Sequence, residues 1–348
     1  MLDVVLCGAG YWGRNLLRVL QQNPAFRIRC VADRSAEARA AIQRIAPGLR
    51  VVADAESAID EPGIDAVVIA TPVATHHQLG RRALERGCHV LMEKPLCVSA
   101  AEASDLVARA RLGKRALMVD HTFLFHPAIT HLAAMLDRGD LGAVSYYDSQ
   151  RINLGIFQPD VNVLWDLAPH DLAILDALFN EEPVHVEASG HCHVNPALPD
   201  LAFVTLHFPS GMVAHLNLSW MSPVKQQRIA VGGGKRMAVW DDLNRDEPLK
   251  IYESGITVLP LDRREVILPG YRVGDVSSPR LPQREPLADA VEHFRRVISG
   301  EEACRSSGEQ GLRIVRTLER AQAALDRSLG EVARWRGRAT VAHAMAAE

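Results

Sequence analysis

Over the first 120 residues, short apolar runs alternate with segments whose apolar positions fall three and four apart. Val4-Val5-Leu6-Cys7, Ile28-Arg29-Cys30-Val31-Ala32, Val51-Val52-Ala53, Ala66-Val67-Val68-Ile69-Ala70, Val90-Leu91-Met92 and Ala116-Leu117-Met118-Val119 read as strands. Between them Leu16, Leu17 and Leu20 mark one helix, and residues 35–45 and 76–84 mark two more. The capping box Ser99-Ala100-Ala101-Glu102 opens a further helix running to Ala110. Strand and helix alternating at this spacing predict a parallel sheet wound on both faces.

Beyond residue 120 the rhythm changes. A helix over 127–138 leads to an alternating strand over 143–152, and residues 159–171 lead into a helix ending near Phe179. Strands follow over 185–194, 201–208, 212–220, 227–231, 236–240 and 249–254, joined by short turns such as Pro209-Ser210-Gly211. With no helices between them, they predict an antiparallel sheet. Gly232-Gly233-Gly234-Lys235 lacks the spacing and following helix of a phosphate-binding loop, so it reads as a hairpin or bulge. An irregular excursion over 260–285, helices over 286–299 and 307–329, and a basic, Ala-rich tail complete the chain. The expected fold class is α/β: a doubly wound parallel sheet over 1–120, then an α+β domain with a large, mostly antiparallel sheet over 121–330, then a tail over 331–348.

Candidate chemistry gathers at strand ends. Gly8-Ala9-Gly10-Tyr11-Trp12-Gly13 follows the first strand and opens the first helix, the context in which G-x-G-x-x-G binds a dinucleotide. Gly8 allows the tight turn, Gly10 lets the backbone approach a diphosphate, and Gly13 lets helix and strand pack closely. Asp33 ends the second strand 20 residues beyond Gly13, placed to accept the adenosine ribose hydroxyls. Its charge favours NAD over NADP. Arg34 beside it is suited either to stacking on adenine or to pairing with a phosphate, so NADP stays open. The plainer role for Asp33 is the cap of the helix over 35–45. A third strand ends at Glu93-Lys94-Pro95, which delivers an acid and an amine to the rim where open α/β sheets bind ligands. A surface ion pair is the plainer reading of that tripeptide. Asp166 and His170 lie four apart, stacked on one face if helical, although Pro169 suggests a helix that starts only there.

Composition narrows the partners. With 48% hydrophobic and 23% charged residues and a net charge of -3, nothing calls for nucleic acid or an anionic membrane. No signal-peptide pattern opens the chain, no run approaches a membrane span, and the six cysteines are scattered, so a cytoplasmic protein with reduced thiols is expected. His191-Cys192-His193 reads as exposed strand rather than a metal tract, and no metal is expected.

Together, the Gly8–Gly13 turn, Thr71-Pro72 with His76, Glu93-Lys94-Pro95, and Asp166-x-x-x-His170 resemble the glucose-fructose oxidoreductase/inositol dehydrogenase/rhizopine catabolism (Gfo/Idh/MocA) family over nearly the whole chain. His121-Thr122-Phe123-Leu124-Phe125-His126-Pro127 and residues 153–171 are similar to members near bacterial nucleotide-sugar 3-dehydrogenases. The resemblance implies a Rossmann domain holding NAD through Gly8, Gly10, Tyr11, Trp12, Gly13, Asp33, Arg34, Thr71, Pro72, His76, Glu93, Lys94 and His121. It also implies hydride transfer between a secondary alcohol and ketone on a sugar, nucleotide-sugar or cyclitol. Lys94 would bond the reacting oxygen, its pKa lowered from ~10.4. His170 would take the hydroxyl proton, and Asp166 would orient His170 or a sugar hydroxyl. Glu93 would act through its backbone near the nicotinamide ribose, or as an ion-pair partner. Arg151 and Asn162 join Lys94, Asp166 and His170 as substrate-binding candidates, Arg151 for an anionic group. One departure matters: where many relatives have a glycine pair, this chain has Asn162-Val163-Leu164-Trp165, so the substrate does not carry over. Redox-assisted glycoside cleavage and a non-catalytic dinucleotide sensor are the alternatives. Self-association as a dimer or tetramer through the carboxy-terminal sheet is also implied.

Overall fold

The computed structural model describes residues 1–155, 157, 161–257 and 270–346. The chain forms two compact units, Met1–Pro127 with Gln283–Arg316, and Ala128–Pro282 with Thr317–Glu348.

In the first unit β1 (Leu2–Cys7), β2 (Phe26–Ala32), β3 (Val51–Val52), β4 (Ala66–Ile69), β5 (His89–Glu93) and β6 (Leu117–Asp120) form an all-parallel sheet in the order β3-β2-β1-β4-β5-β6. The crossovers are α1 (Tyr11–Gln22), α2 (Ala36–Ile45), α3 (Ala55–Ile59), α4 (His76–Glu85) and α5 (Ala100–Gly113). Helices on both faces explain why β1 and β4 are apolar and buried without alternation. Strand order reverses between β1 and β4, which opens the crevice where such sheets take ligands. Ser99 caps α5 as its sequence dictates, accepting from the Glu102 N–H at 3.2 Å.

The second unit begins with α6 (Pro127–Asp137), β7 (Val144–Leu154) and α7 (Val163–Phe179). Strands β8 (His185–His191), β9 (Leu201–His207), β10 (Val213–Ser219), β11 (Met221–Gly233), β12 (Met237–Asp241) and β13 (Leu249–Tyr252) follow. A small pair, β14 (Gly255–Thr257) and β15 (Gly270–Arg272), precedes β16 (Val276–Ser277). The eight-stranded sheet runs β16-β13-β12-β11-β7-β10-β9-β8, antiparallel at every joint except the parallel β7–β10 pair. Alternate residues Ala202, Val204, Leu206, Ala214, Leu216 and Leu218 are buried on the face that α7 covers. Of the excursion expected over 260–285, residues 260–269 lie outside the described residues, and the remainder supplies β15 and β16.

Three local expectations change. The strand expected over 185–194 stops at His191, because Asp200 accepts from the His193 and Val194 N–H groups at 2.7 and 2.8 Å and turns the chain. Residues 283–316 return to the first unit, because α8 (Pro286–Ile298) packs its apolar face, Leu287, Val291 and Phe294, on α1 and the 3-10 turn Thr122–Phe125. The tail expected over 331–348 continues as helix α9 (Gly308–Ala346), with residues 347–348 outside the described residues.

Candidate active site

The glycine turn is shaped by what a side chain would strike. Gly8 has φ +98°, and a Cβ there would fall 2.3 Å from the Ala70 carbonyl oxygen at the end of β4. A Cβ on Gly13 would fall 2.1 Å from the Gly8 carbonyl oxygen, so α1 is drawn against β1 only because both are glycine. Gly10 faces open space instead, and no side chain caps the α1 N–H groups. Beside this turn lies a cavity of about 470 Å³ lined by Gly8, Gly10, Asp33, Arg34, Thr71 and Pro72, with Thr75 and Gln78 further along. An uncapped helix start, an open glycine and a carboxylate around one cavity fit a dinucleotide. Asp33 does not cap α2; Ser35 does, accepting from the Ala38 N–H. The Asp33 carboxylate instead accepts the N–H groups of Ala9 and Ser35, each at 2.7 Å, which fixes it against the glycine turn.

Tyr11 and Trp12 stand edge to face, ring centroids 5.5 Å apart, exposed at the start of α1 and outside the cavity lining. His76 is buried, its Nδ1 3.0 Å from the Pro95 carbonyl oxygen and its Nε2 2.9 Å from that of Thr71. A neutral ring has one N–H, so His76 donates to one of these two carbonyls and braces the loops that carry them. Burial lowers its pKa despite these two acceptors.

A second cluster sits at the ends of β5 and β6, where register sets Glu93 beside Asp120. Both carboxyls are buried. Thr122 Oγ1 donates to Asp120 Oδ1 at 2.8 Å, and the Lys94 N–H to Glu93 Oε2 at 3.1 Å. Asp120 Oδ2 finds no donor among the described residues while both groups are ionised; a proton on Glu93 supplies one. Burial, then the Asp120 charge, pushes Glu93 well above the usual carboxylate range, and burial pushes Asp120 up to about 6. At neutral pH the pair therefore carries one negative charge beside half-buried Lys94. His121 follows β6 fully enclosed, and neither ring nitrogen has a hydrogen-bond partner among the described residues. Burial, then the Lys94 charge, lowers it to about 3, so its imidazole is neutral. Asp120 has no motif to announce it; only aligning the last residues of two successive strands would have found it.

These raised carboxyl pKa values fix a pH dependence. The unfolded chain ionises first as pH rises above ordinary carboxylate values, so Asp120 costs the native state stability from about pH 4 upward, fully by pH 6 and above. Asp120→Asn should therefore stabilise the protein by ~1–3 kcal/mol near pH 8 and by much less near pH 4, as urea midpoints at the two pH values will report. An equal effect at both would contradict the shared-proton arrangement.

In the second unit α7 starts earlier than Pro169 suggests. Asn162 caps it, its Oδ1 accepting from the Leu164 and Trp165 N–H groups at 3.0 and 3.2 Å, while Pro169 lies inside and forgoes one helical hydrogen bond. Asp166 and His170 are consequently both helical and on one face, both half-buried. The Asn162 Nδ2 and the Trp165 indole both donate to Gln322 Oε1, at 2.8 and 3.1 Å. Asn162 thus starts α7 and ties it to Gln322. Arg151 is buried and paired: Nε and Nη2 donate to Asp171 at 2.9 and 3.3 Å, and the Tyr147 hydroxyl shares that carboxylate at 3.2 Å. A residue the sequence did not flag, buried Trp220, donates its indole N–H to Asp166 Oδ2 at 3.2 Å.

Residues 2–121 match the oxidoreductase family with an NAD-binding Rossmann fold, and residues 129–239 match the Gfo/Idh/MocA carboxy-terminal domain. A UDP-N-acetylglucosamine 3-dehydrogenase of Acidithiobacillus ferrooxidans is 31% identical over 72% of this chain and 76% of its own. Its crystal structure superposes with a TM-score of 0.79 at 26% identity, covering 94% of this chain and 99% of that one. An inositol 2-dehydrogenase of Rhodococcus jostii is 30% identical over 57% of this chain and 55% of its own. The chain belongs to the Gfo/Idh/MocA family of oxidoreductases, whose amino-terminal domain is an NAD-binding Rossmann fold.

Proposed function

We propose that the protein is an NAD-dependent dehydrogenase interconverting a secondary alcohol and a ketone on a nucleotide-sugar, sugar or cyclitol. The observation that carries this reading is a half-buried lysine at the end of β5, together with an Asp/His pair on one face of α7, in a chain that matches a UDP-N-acetylglucosamine 3-dehydrogenase over 72% of its length. Gly8, Gly10 and Gly13 with the start of α1 would hold the diphosphate, and Asp33 and Thr71-Pro72 the adenosine side of the cavity. The fixed Asp33 carboxylate repels a 2′-phosphate and favours NAD. When bound, NAD supplies the acceptor or donor of hydride.

In oxidation, His170 accepts the hydroxyl proton, the O–H bonding pair left on oxygen becomes the second C–O bond of the carbonyl, and the C–H pair leaves the carbon as hydride. Lys94 donates a hydrogen bond to that oxygen throughout. Asp166 keeps the histidine oriented and balances its charge after proton transfer. In reduction the same groups run in reverse. The Glu93–Asp120 pair holds the backbone of Lys94 and sets one negative charge next to it.

The test is nicotinamide absorbance with NAD or NADP over UDP-N-acetylglucosamine, related nucleotide-sugars, free hexoses and inositols. NADH formation with at least one of them, and a preference for NAD, is the expected result. Tight NAD binding with no turnover on the whole panel would favour the dinucleotide sensor, and NAD that never exchanges would favour glycoside cleavage.

A further inference from the structure

We infer that Trp220 is a positioning residue, its indole N–H holding one carboxylate oxygen of Asp166 so that the other serves the reaction. This rests on the role given to Asp166 under the proposed function. The indole is clamped on several sides. Trp220 is 2% exposed, and its backbone is held too: its main-chain N–H donates to the Asp200 carbonyl and its main-chain carbonyl accepts from the Gly155 N–H, both at 3.0 Å. Gly155 lies directly against the ring: a Cβ there would sit 2.3 Å from Cδ1, so no side chain fits between them. Phe157 closes another edge, its centroid 5.5 Å away at 69°.

A ring held this way has one direction in which to point its single polar atom. Indole is a donor only, and a buried indole N–H needs an acceptor. Here that acceptor is Asp166 Oδ2, 3.2 Å away and 54 residues distant in sequence. The choice of donor has a chemical consequence. Lysine or arginine at this place would orient the carboxylate but cancel its charge, and a hydroxyl would rotate. A neutral, immobile N–H fixes the carboxylate and leaves its negative charge for the imidazole one helical turn on.

Trp220→Phe keeps most of the ring volume and removes the N–H. The expected result is a kcat lowered roughly 10- to 100-fold with KM changed less than about threefold. In an Asp166→Asn background the same substitution should add almost nothing, since its effect passes through that carboxylate. A measurement on the unaltered ring guards against a variant that folds poorly. The Trp220 indole 15N–1H resonance should move as Asp166 titrates and should lose that movement in Asp166→Asn. Equal losses from Trp220→Phe in both backgrounds, or an indole resonance indifferent to Asp166, would overturn this inference alone. Full activity of Asp166→Asn would overturn the proposed role of Asp166 along with it.

Discussion

Lys94→Met should lower kcat by roughly three to four orders of magnitude while NAD affinity stays within a few-fold of the parent. Methionine keeps the length and apolar body of the side chain and deletes only the ammonium. Lys94 is half-buried directly after β5, whose residues from Val90 to Glu93 are buried, and its charge already acts on neighbouring His121. The cavity built by the glycine turn and Asp33 does not include it, so cofactor binding and chemistry separate in this variant. Single-turnover absorbance gives the chemical step, and NAD titration followed by tryptophan fluorescence gives the affinity. A variant that turns over at parent rates would remove the lysine from the mechanism; one that loses NAD binding instead would make it a cofactor anchor.

Asp171→Ala should cost ~3–5 kcal/mol of stability, because it strands a buried guanidinium and takes the acceptor from a buried tyrosine at once. Arg151 and Tyr147 both bond that carboxylate, which is 0% exposed. Arg151→Met combined with Asp171→Leu removes both charges and should recover most of the loss, since paired desolvation costs disappear together. Urea midpoints at constant slope measure both. If the single and double variants lose the same amount, the pair is not what holds β7 to α7.

The layout of the sheets could be read from the chain because the signals are local. A run such as Ala66-Val67-Val68-Ile69, with no polar residue to face water, requires cover on both sides, and the helical spacing that follows supplies it. The glycine turn was equally legible, since each glycine answers to a steric demand within a few residues or on the adjacent strand. What escaped depends on partners distant in sequence. Pro169 suggested a helix start, but Asn162 caps the helix seven residues earlier and the proline is absorbed. Asp120 acquires its meaning only from lying level with Glu93 across two strands, and Trp220 only from reaching Asp166 on the sheet-covering helix. His76, Asn162 and Arg151 carry chemistry that suits a ligand, and the fold engages that same chemistry with the backbone and with buried neighbours. A polar side chain is available to a ligand only after the backbone and nearby charges have taken what they need.

The central claim is that an imidazole on α7 carries the proton while hydride moves. Pre-steady-state hydride transfer by His170→Asn, followed across the neutral pH range with a substrate the parent enzyme oxidises, addresses it directly. The expected result is a rate lower by ~10²–10⁴-fold that no longer varies with pH through that range. A hydride-transfer rate and pH profile indistinguishable from the parent's would contradict it.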